Sequence, residues 1–343
     1  MSKHVLMKIL YAVQATGNGH ISRAMQLLPQ LEQYGTVDLF LSGNNASLQL
    51  NGNVKFRSKG LSLYYTKCGG LSYSGMIWKN NIVRAMKEAR DLPVQSYDIV
   101  INDFEFITAE SCRIHKKESI HLGHQASFLS DKTPRPAIKS KVGELIYKHY
   151  CKTSHHLGFH FEKYDDFILP PVVKNEIIAG ENCDLGHVTV YLPSYQRHCI
   201  ETHFRYHKDI VFHWFLAGIK KPVREGNIIF YPIHNSLFTQ SLLSCHGLIT
   251  GGGFETPSEA LYLGKKLLCI PIRDHYEQKC NGAALSQMGV ITLPDADSPD
   301  FFLQIQNWLD RAPIIRLKEV NNIEETILKA FAQIKSTIET RVA

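Results

Sequence analysis

The stretch from Ile249 to Pro271, "ITGGGFETPSEALYLGKKLLCIP", constrains the fold more than any other part of the chain. An apolar segment runs into three glycines. A helical pattern follows, and a second apolar segment ends in proline. A strand, a tight turn, a helix and a strand in so short a space make one unit of a parallel α/β sheet. The same alternation fills the first half. Strands are expected at Lys8–Val13, Val37–Leu41, Asp98–Asn102 and Ser119–Gly123, and helices around Ser22–Tyr34, Asn80–Asp91 and Ala137–Cys151. Short apolar strands followed by amphipathic helices predict a parallel sheet covered on both faces. The pattern breaks at "FILPPVV" (Phe167–Val173), the best linker candidate, and restarts with "HVTVYLP", "VFHWFLAG", "NIIFYP", "GLIT" and "KLLCIP".

The expected organisation is therefore two parallel α/β domains, residues 1–168 and 169–320, with a cleft between them where a ligand would bind. Residues 321–343 carry Ile323, Ile327, Leu328, Phe331, Ile334 and Ile338 at helical spacing. They are expected to form a terminal helix that packs back on the first domain. A length of 343 residues suits two domains of ordinary size, and 44% hydrophobic residues suit a packed core. No apolar run approaches the roughly 20 residues of a membrane span. "MSKHVLMKILYAV" reads as a first core strand, Ile9–Val13, and not as a signal peptide. The eight cysteines form no CxxC pair, and several sit in apolar patterns. That suits buried thiols in a reducing, cytoplasmic setting. A net charge of +6 is modest, and no nucleic-acid recognition pattern accompanies it.

The glycine turn has chemistry of its own. Gly251, Gly252 and Gly253 let the backbone turn, Thr256 can cap the helix, and Pro257 suits its first turn. Free N–H groups at such a helix start favour a phosphate. Two plainer readings stand beside this one. Glycine turns of this kind occur in α/β proteins without a ligand, and Thr256-x-x-Glu259 is also a capping box.

The segment Ile249–Gly289, "ITGGGFETPSEALYLGKKLLCIPIRDHYEQKCNGAALSQMG", resembles the donor-binding segment of GT-B glycosyltransferases. It is similar to both the UDP-glycosyltransferases and family 28. The shared pattern is a glycine turn, Ser-Glu-Ala, an apolar helix, a glycine, a strand ending in proline, and an acid–Gln pair with Asn three residues later. The resemblance implies a GT-B fold, α/β, with two Rossmann-like domains: an acceptor-binding N-terminal one and a nucleotide-sugar-binding C-terminal one. It also implies that Gly252, Gly253, Glu255 and Thr256 hold the donor diphosphate, that Glu259 holds the ribose hydroxyls, and that Glu277 and Gln278 read the sugar. A carboxylate suits a vicinal diol because it accepts two hydrogen bonds. The plant-type enzymes show Asp-Gln where this chain has Glu277-Gln278, which leaves the sugar open.

The loop "ATGNGHISR" (Ala15–Arg23) resembles the first glycine loop of the same families, with Gly17 and Gly19 turning the chain and His20 at the mouth. In the UDP-glycosyltransferases this histidine is the catalytic base. A base is needed because an acceptor hydroxyl is a weak nucleophile, and histidine titrates near working pH. A helix-start histidine that merely packs is the plainer reading. Asp103, in "YDIVINDFEFITAE", is the expected partner of His20, with Glu105 as rival. Arg23 either steers an anion or is an ordinary surface arginine.

Ser194, after "VYL", resembles a family serine near the phosphates. Cys199, His203 and His207 share one helical face, which is more often a packed face than a zinc site. Tyr64–Asn81 reads either as an acceptor loop or as a packed surface loop. Residues 131–163 hold seven Lys/Arg against three Asp/Glu, and Ile138, Val142, Leu145 and Ile146 form an apolar side on the expected helix 137–151. This is either a domain helix or a peripheral contact with an anionic lipid or acceptor at the inner membrane face.

Together these features give an expected inverting hexosyltransferase with no cofactor and no metal. It would move a sugar from a nucleotide-sugar, most naturally UDP-linked, to an acceptor hydroxyl that is lipid-linked or anionic. The rivals are a non-hydrolysing sugar-nucleotide epimerase and a binding protein without turnover.

Overall fold

A computed structural model describes residues 7–43, 50–61 and 81–342. The acceptor-loop segment 64–80 lies outside the described residues.

The described residues build two seven-stranded sheets. The first contains β1 (Met7–Gln14), β2 (Gly35–Ser42), β3 (Val54–Ser58), β4 (Ile99–Asp103), β5 (Ile120–Gly123), β6 (His155–Phe159) and β7 (Ile168–Leu169). Its order is β3-β2-β1-β4-β5-β6-β7, parallel throughout. The helices among these strands are α1 (Asn18–Leu31), α2 (Ile82–Asp91), α3 (Phe106–Ile114) and α4 (Lys141–His149). The chain then passes through a short helix, α5 (Asn175–Ile178), to the second sheet.

The second sheet contains β8 (Val188–Tyr191), β9 (Phe212–Leu216), β10 (Val223–Glu225), β11 (Ile228–Pro232), β12 (Gly247–Thr250), β13 (Lys266–Cys269) and β14 (Ile291–Thr292). Its order is β10-β11-β9-β8-β12-β13-β14, with only β10 antiparallel. Its helices are α6 (Arg197–Tyr206), α7 (Asn235–Ser244), α8 (Glu255–Leu263), α9 (Tyr276–Gln287) and α10 (Phe301–Arg311). The last helix, α11 (Ile323–Val342), returns to α1, and just after α1 Tyr34 meets Phe331 edge-on at 5.3 Å.

The apolar runs became central strands because both sheet faces are covered. On the first sheet, Leu10, Ala12 and Phe40 pack with Ala85, Ala89 and Ile107 on one face. On the other, Ile9, Tyr11 and Val13 pack with Ile21, Leu27 and Phe331. That second cluster continues through Val172, Val173 and Phe254 to Leu248 and Leu261, so one apolar core joins the two sheets. The far face of the second sheet buries Phe204, Trp214, Phe301 and Trp308.

Three local expectations are corrected. Helix α1 starts at Asn18, not Ser22, because Gly17 takes the extended N-cap position and Gly19 and His20 fall in the first turn. Thr256 does not cap α8: Phe254 occupies the N-cap and Thr256 is the second helical residue, so the Thr256–Glu259 capping box does not form. Helix α4 is shorter than 137–151, so Ile138 lies before it. Gly143 and Tyr147 are its buried positions, while Val142 and Leu145 are exposed.

Candidate active site

In each sheet the strand order reverses beside the first strand, between β2 and β4 in one and between β9 and β12 in the other. Ligands of open α/β sheets bind outside the strand ends at such switch points. The two glycine loops follow β1 and β12, so both stand at a switch point.

The first loop delivers His20. Its Nδ1 lies 2.9 Å from Asp103 Oδ1, at the end of β4. Asp103 is fully buried, and Phe104 behind it holds a left-handed φ of 55°. Such a backbone is costly for a bulky residue and persists only where its surroundings enforce it. Here Phe104 stacks on His121 and packs at a tilt against Tyr150. Gly123 completes the seat, because a Cβ there would come 2.6 Å from Asp103 Oδ1. The rival Glu105 is occupied elsewhere, capping α3 through the N–H groups of Ile107 (2.8 Å) and Thr108 (2.6 Å).

Arg23 is not a surface arginine. It is 3% exposed and grips Asp103 twice, Nε to Oδ2 at 3.1 Å and Nη2 to Oδ1 at 2.7 Å. Its Nη1 holds Glu255, the first residue of α8, across the cleft. Burial penalises the Asp103 charge, but Arg23 and His20 outweigh it and hold the carboxyl well below the usual range. At Gly19 a Cβ would stand 2.5 Å from Glu255 Oε2. At Gly17 a Cβ would meet open space.

The second loop leads into α8, which no side chain caps among the described residues. Its free N–H groups remain available to an anion. Gly253 faces open space, whereas Gly252 packs on α9, where a Cβ would meet the Gln278 carbonyl at 2.5 Å. Gln278 braces this turn. Its Oε1 accepts the N–H of Gly252 (3.0 Å) and of Ile272 (3.0 Å). That oxygen, and the Gly252 N–H, are therefore engaged within the protein. Asn281 donates to the Gly252 carbonyl at 2.9 Å and pairs through Oδ1 with His124 Nε2 at 2.9 Å. His124 also stacks on Phe254, with ring centres 3.9 Å apart. The second glycine turn is thus tied directly to the segment that follows β5 of the first sheet.

Glu259 is 2% exposed and pairs with Lys174 Nζ at 3.1 Å. Burial raises its carboxyl above the ordinary value of 4.5 despite the opposing pull of Lys174. Glu277 behaves differently. Burial acts to raise it, but His124, His275 and the Gln125 hydrogen bond outweigh that and lower it. Gln125 Nε2 lies 3.0 Å from Glu277 Oε2 and 3.5 Å from His20 Nε2. Ser194 lies in the turn after β8, the strand that neighbours β12.

A cavity of about 280 Å³ opens between the two loops. Asn18, Gly19 and Ser22 line it from one side, Glu255 and Thr256 from the other, and Tyr191, Phe215, His234 and Phe238 close its aromatic end, with Lys174 beside them. Sequence reasoning missed Lys174, Gln125, His124 and these aromatics. The signal for Tyr191 and Phe215 was their place at the C-terminal ends of expected strands. Among the described residues no group of three His, Cys, Asp or Glu is arranged to hold a metal. His207 meets the Phe302 carbonyl at 3.0 Å, and His203 packs against Phe301 and Phe302.

Two Rossmann-like sheets, each presenting a glycine loop at its switch point to a shared cleft, define the GT-B class. The chain matches glycosyl transferase family 1 over residues 7–313 and belongs to that family. Solved structures agree on the fold. A UDP-glucosyltransferase from Polygonum tinctorium, described as capable of glucosylating indoxyl, superposes with a TM-score of 0.61 at 13% identity, covering 98% of this chain and 94% of that one. Arabidopsis thaliana UGT89C1 complexed with UDP gives 0.58 at 13% identity, covering 95% and 94%. Acinetobacter baumannii MurG gives 0.56 at 11% identity, covering 95% and 99%. No curated protein matches the sequence.

Proposed function

We propose that this glycosyltransferase moves a hexose from a UDP-sugar to an acceptor hydroxyl with inversion. The observation that carries the reading is the convergence of the His20–Asp103 pair and the uncapped start of α8 on one cleft. His20 Nε2 takes the acceptor proton while Nδ1 donates to Asp103. The acceptor oxygen attacks the anomeric carbon opposite the diphosphate. The bond from that carbon to the diphosphate oxygen breaks, and UDP leaves with the electron pair. The N–H groups at the start of α8 and the helix dipole stabilise the leaving charge, so no metal is assigned to the step. In this reading the aromatic end of the cavity takes the nucleoside, Glu259 takes the ribose hydroxyls, and Glu277 reads the sugar. Ser194 and Thr256 complete the phosphate side. UGT89C1, whose structures include complexes with UDP and with UDP-L-rhamnose, supports a UDP-linked donor by analogy.

A thermal-shift screen of UDP-sugars followed by product analysis tests the reading. The expected result is one or more stabilising donors and acceptor-dependent release of UDP. Conversion of a UDP-sugar into its epimer would replace the reading with an epimerase. Stabilisation without UDP release under any acceptor would replace it with a binding protein.

We further assign the acceptor side to an anionic lipid surface at the cytoplasmic face. Ile138, Val142 and Leu145 are 88%, 50% and 57% exposed, and Lys139, Lys141 and Lys148 stand exposed around them. An apolar stripe with a basic rim is the pattern of an interfacial helix. Helix α4 also abuts the donor side, since Tyr276 of α9 donates to Glu144 at 2.5 Å. The five buried free thiols among the described residues fit a reducing compartment. In co-sedimentation the protein is expected to bind phosphatidylglycerol vesicles and not phosphatidylcholine vesicles, and Leu145→Glu should remove most of the binding. Equal recovery with both lipids, or no effect of the substitution, would remove the lipid assignment.

A further inference from the structure

Arg23 has no part in the proton transfer itself, yet it is among the most buried charges in the cleft. Its guanidinium fork ends on two carboxylates from opposite sides. Asp103 comes from β4 of the first sheet, and Glu255 comes from the start of α8 on the second. The same Nη2 that donates to Asp103 Oδ1 stands 3.1 Å from His20 Nδ1. Two donors therefore crowd one carboxylate oxygen. Asp103 is held ionised and can only accept, so the proton between it and His20 belongs to Nδ1, and the nearby Nη2 donates to Asp103 and not to the ring. The free lone pair is then on Nε2, which faces the Gln125 amide nitrogen at 3.5 Å.

We propose that Arg23 is a positioning residue that ties the donor helix to the base: it fixes Asp103, balances the charge beside His20, and is itself held by Glu255 from across the cleft. This inference rests on His20 acting as the base. A histidine beside a buried carboxylate alone would be drawn toward the imidazolium, which cannot accept a proton. The guanidinium, 3.1 Å from Nδ1, opposes that pull. Glu255 moderates the guanidinium in turn. The first residue of α8 thus takes part, through Arg23, in setting the charge beside the base.

The charged and titratable groups around His20 come from five elements. They are Arg23 on its own helix, Asp103 on β4, Glu255 on α8, Glu277 on α9, and His121 on β5. Of these, Arg23 and Glu255 form an ion pair whose members carry opposite signs and can be neutralised one at a time while Asp103, the direct partner of His20, is left in place. Removing the Arg23 cation relieves repulsion of the imidazolium, so His20 should titrate at higher pH. Removing the Glu255 anion leaves the Arg23 charge less screened, so His20 should titrate at lower pH.

The test is histidine NMR titration of the full chain without substrate, with the His20 signal identified from its loss in His20→Ala. Arg23→Met is expected to move the His20 midpoint up by about one pH unit, and Glu255→Gln to move it down by a smaller amount. Arg23→Lys, which keeps the charge and loses the fork, should move it less than Arg23→Met. If Arg23→Met does not fold, the downward shift in Glu255→Gln still decides. Movement of both variants in the same direction, or no movement in Glu255→Gln, would overturn the proposal and leave Arg23 a structural ion pair. Activity separates this outcome from failure of the functional reading. Full transfer by His20→Ala removes the base itself, whereas loss of transfer in His20→Ala with unmoved midpoints removes only the role of Arg23.

Discussion

His20→Ala is expected to reduce sugar transfer by about 10²–10⁴-fold, the usual contribution of a positioned general base. UDP binding should hold within about twofold, because the loss concerns a step made only in the transition state. The separation follows from geometry. His20 sits on the first sheet and pairs with Asp103 at 2.9 Å, while the expected donor contacts belong to α8 and to the cavity beside it. Asp103→Asn should give a smaller but still large loss, since an amide can hold the imidazole in the wrong tautomer. Steady-state rates with a fixed donor, together with calorimetric UDP titration, check both halves. A histidine that only packs would show neither effect beyond a change in stability.

Glu259→Gln is expected to weaken UDP binding by about 10–100-fold, with transfer lost in proportion at low donor. The substitution preserves shape but removes the charge that strengthens hydrogen bonds to a diol, and each tenfold step is about 1.4 kcal/mol. Lys174→Met should produce a related defect with a pH signature. Burial already raises the Glu259 carboxyl above 4.5, and Lys174 is the charge pulling it back. Without that cation the carboxyl rises further, so the ionised form disappears at higher pH. UDP affinity should therefore fall, on acidification, at a higher pH in Lys174→Met than in the wild type. If Glu259 merely braced the fold, UDP affinity would be unchanged in Glu259→Gln over the whole range.

Much of the fold was legible because central strands buried on both faces must be continuously apolar. Ile9–Val13, Ile99–Ile101 and Leu267–Cys269 have that signature. The edge strands did not. β7 and β14 are two residues each, and β3 alternates between half-buried and exposed positions before its last, buried residue. No periodicity can be read from so few residues. The glycine loops announced the site because a tight turn into a helix leaves a local mark. What the local mark could not carry was long-range pairing. Thr256 and Glu259 have the spacing of a capping box, but Glu259 is claimed by Lys174, 85 residues away. Gln278 has the place of a sugar reader, yet its oxygen supports the backbone of the glycine turn. Arg23 looked like any helix arginine until Asp103 and Glu255 closed on it. Gln125 and His124 belong to no motif and became part of the site only when β5 delivered them beside α9.

Crystals grown with UDP test the central claim most directly. The account predicts the diphosphate at the N–H groups of Gly253, Glu255 and Thr256, the ribose hydroxyls on Glu259, and the base among Tyr191, Phe215 and Phe238. UDP bound away from the start of α8, with Glu259 still paired only to Lys174, would contradict it.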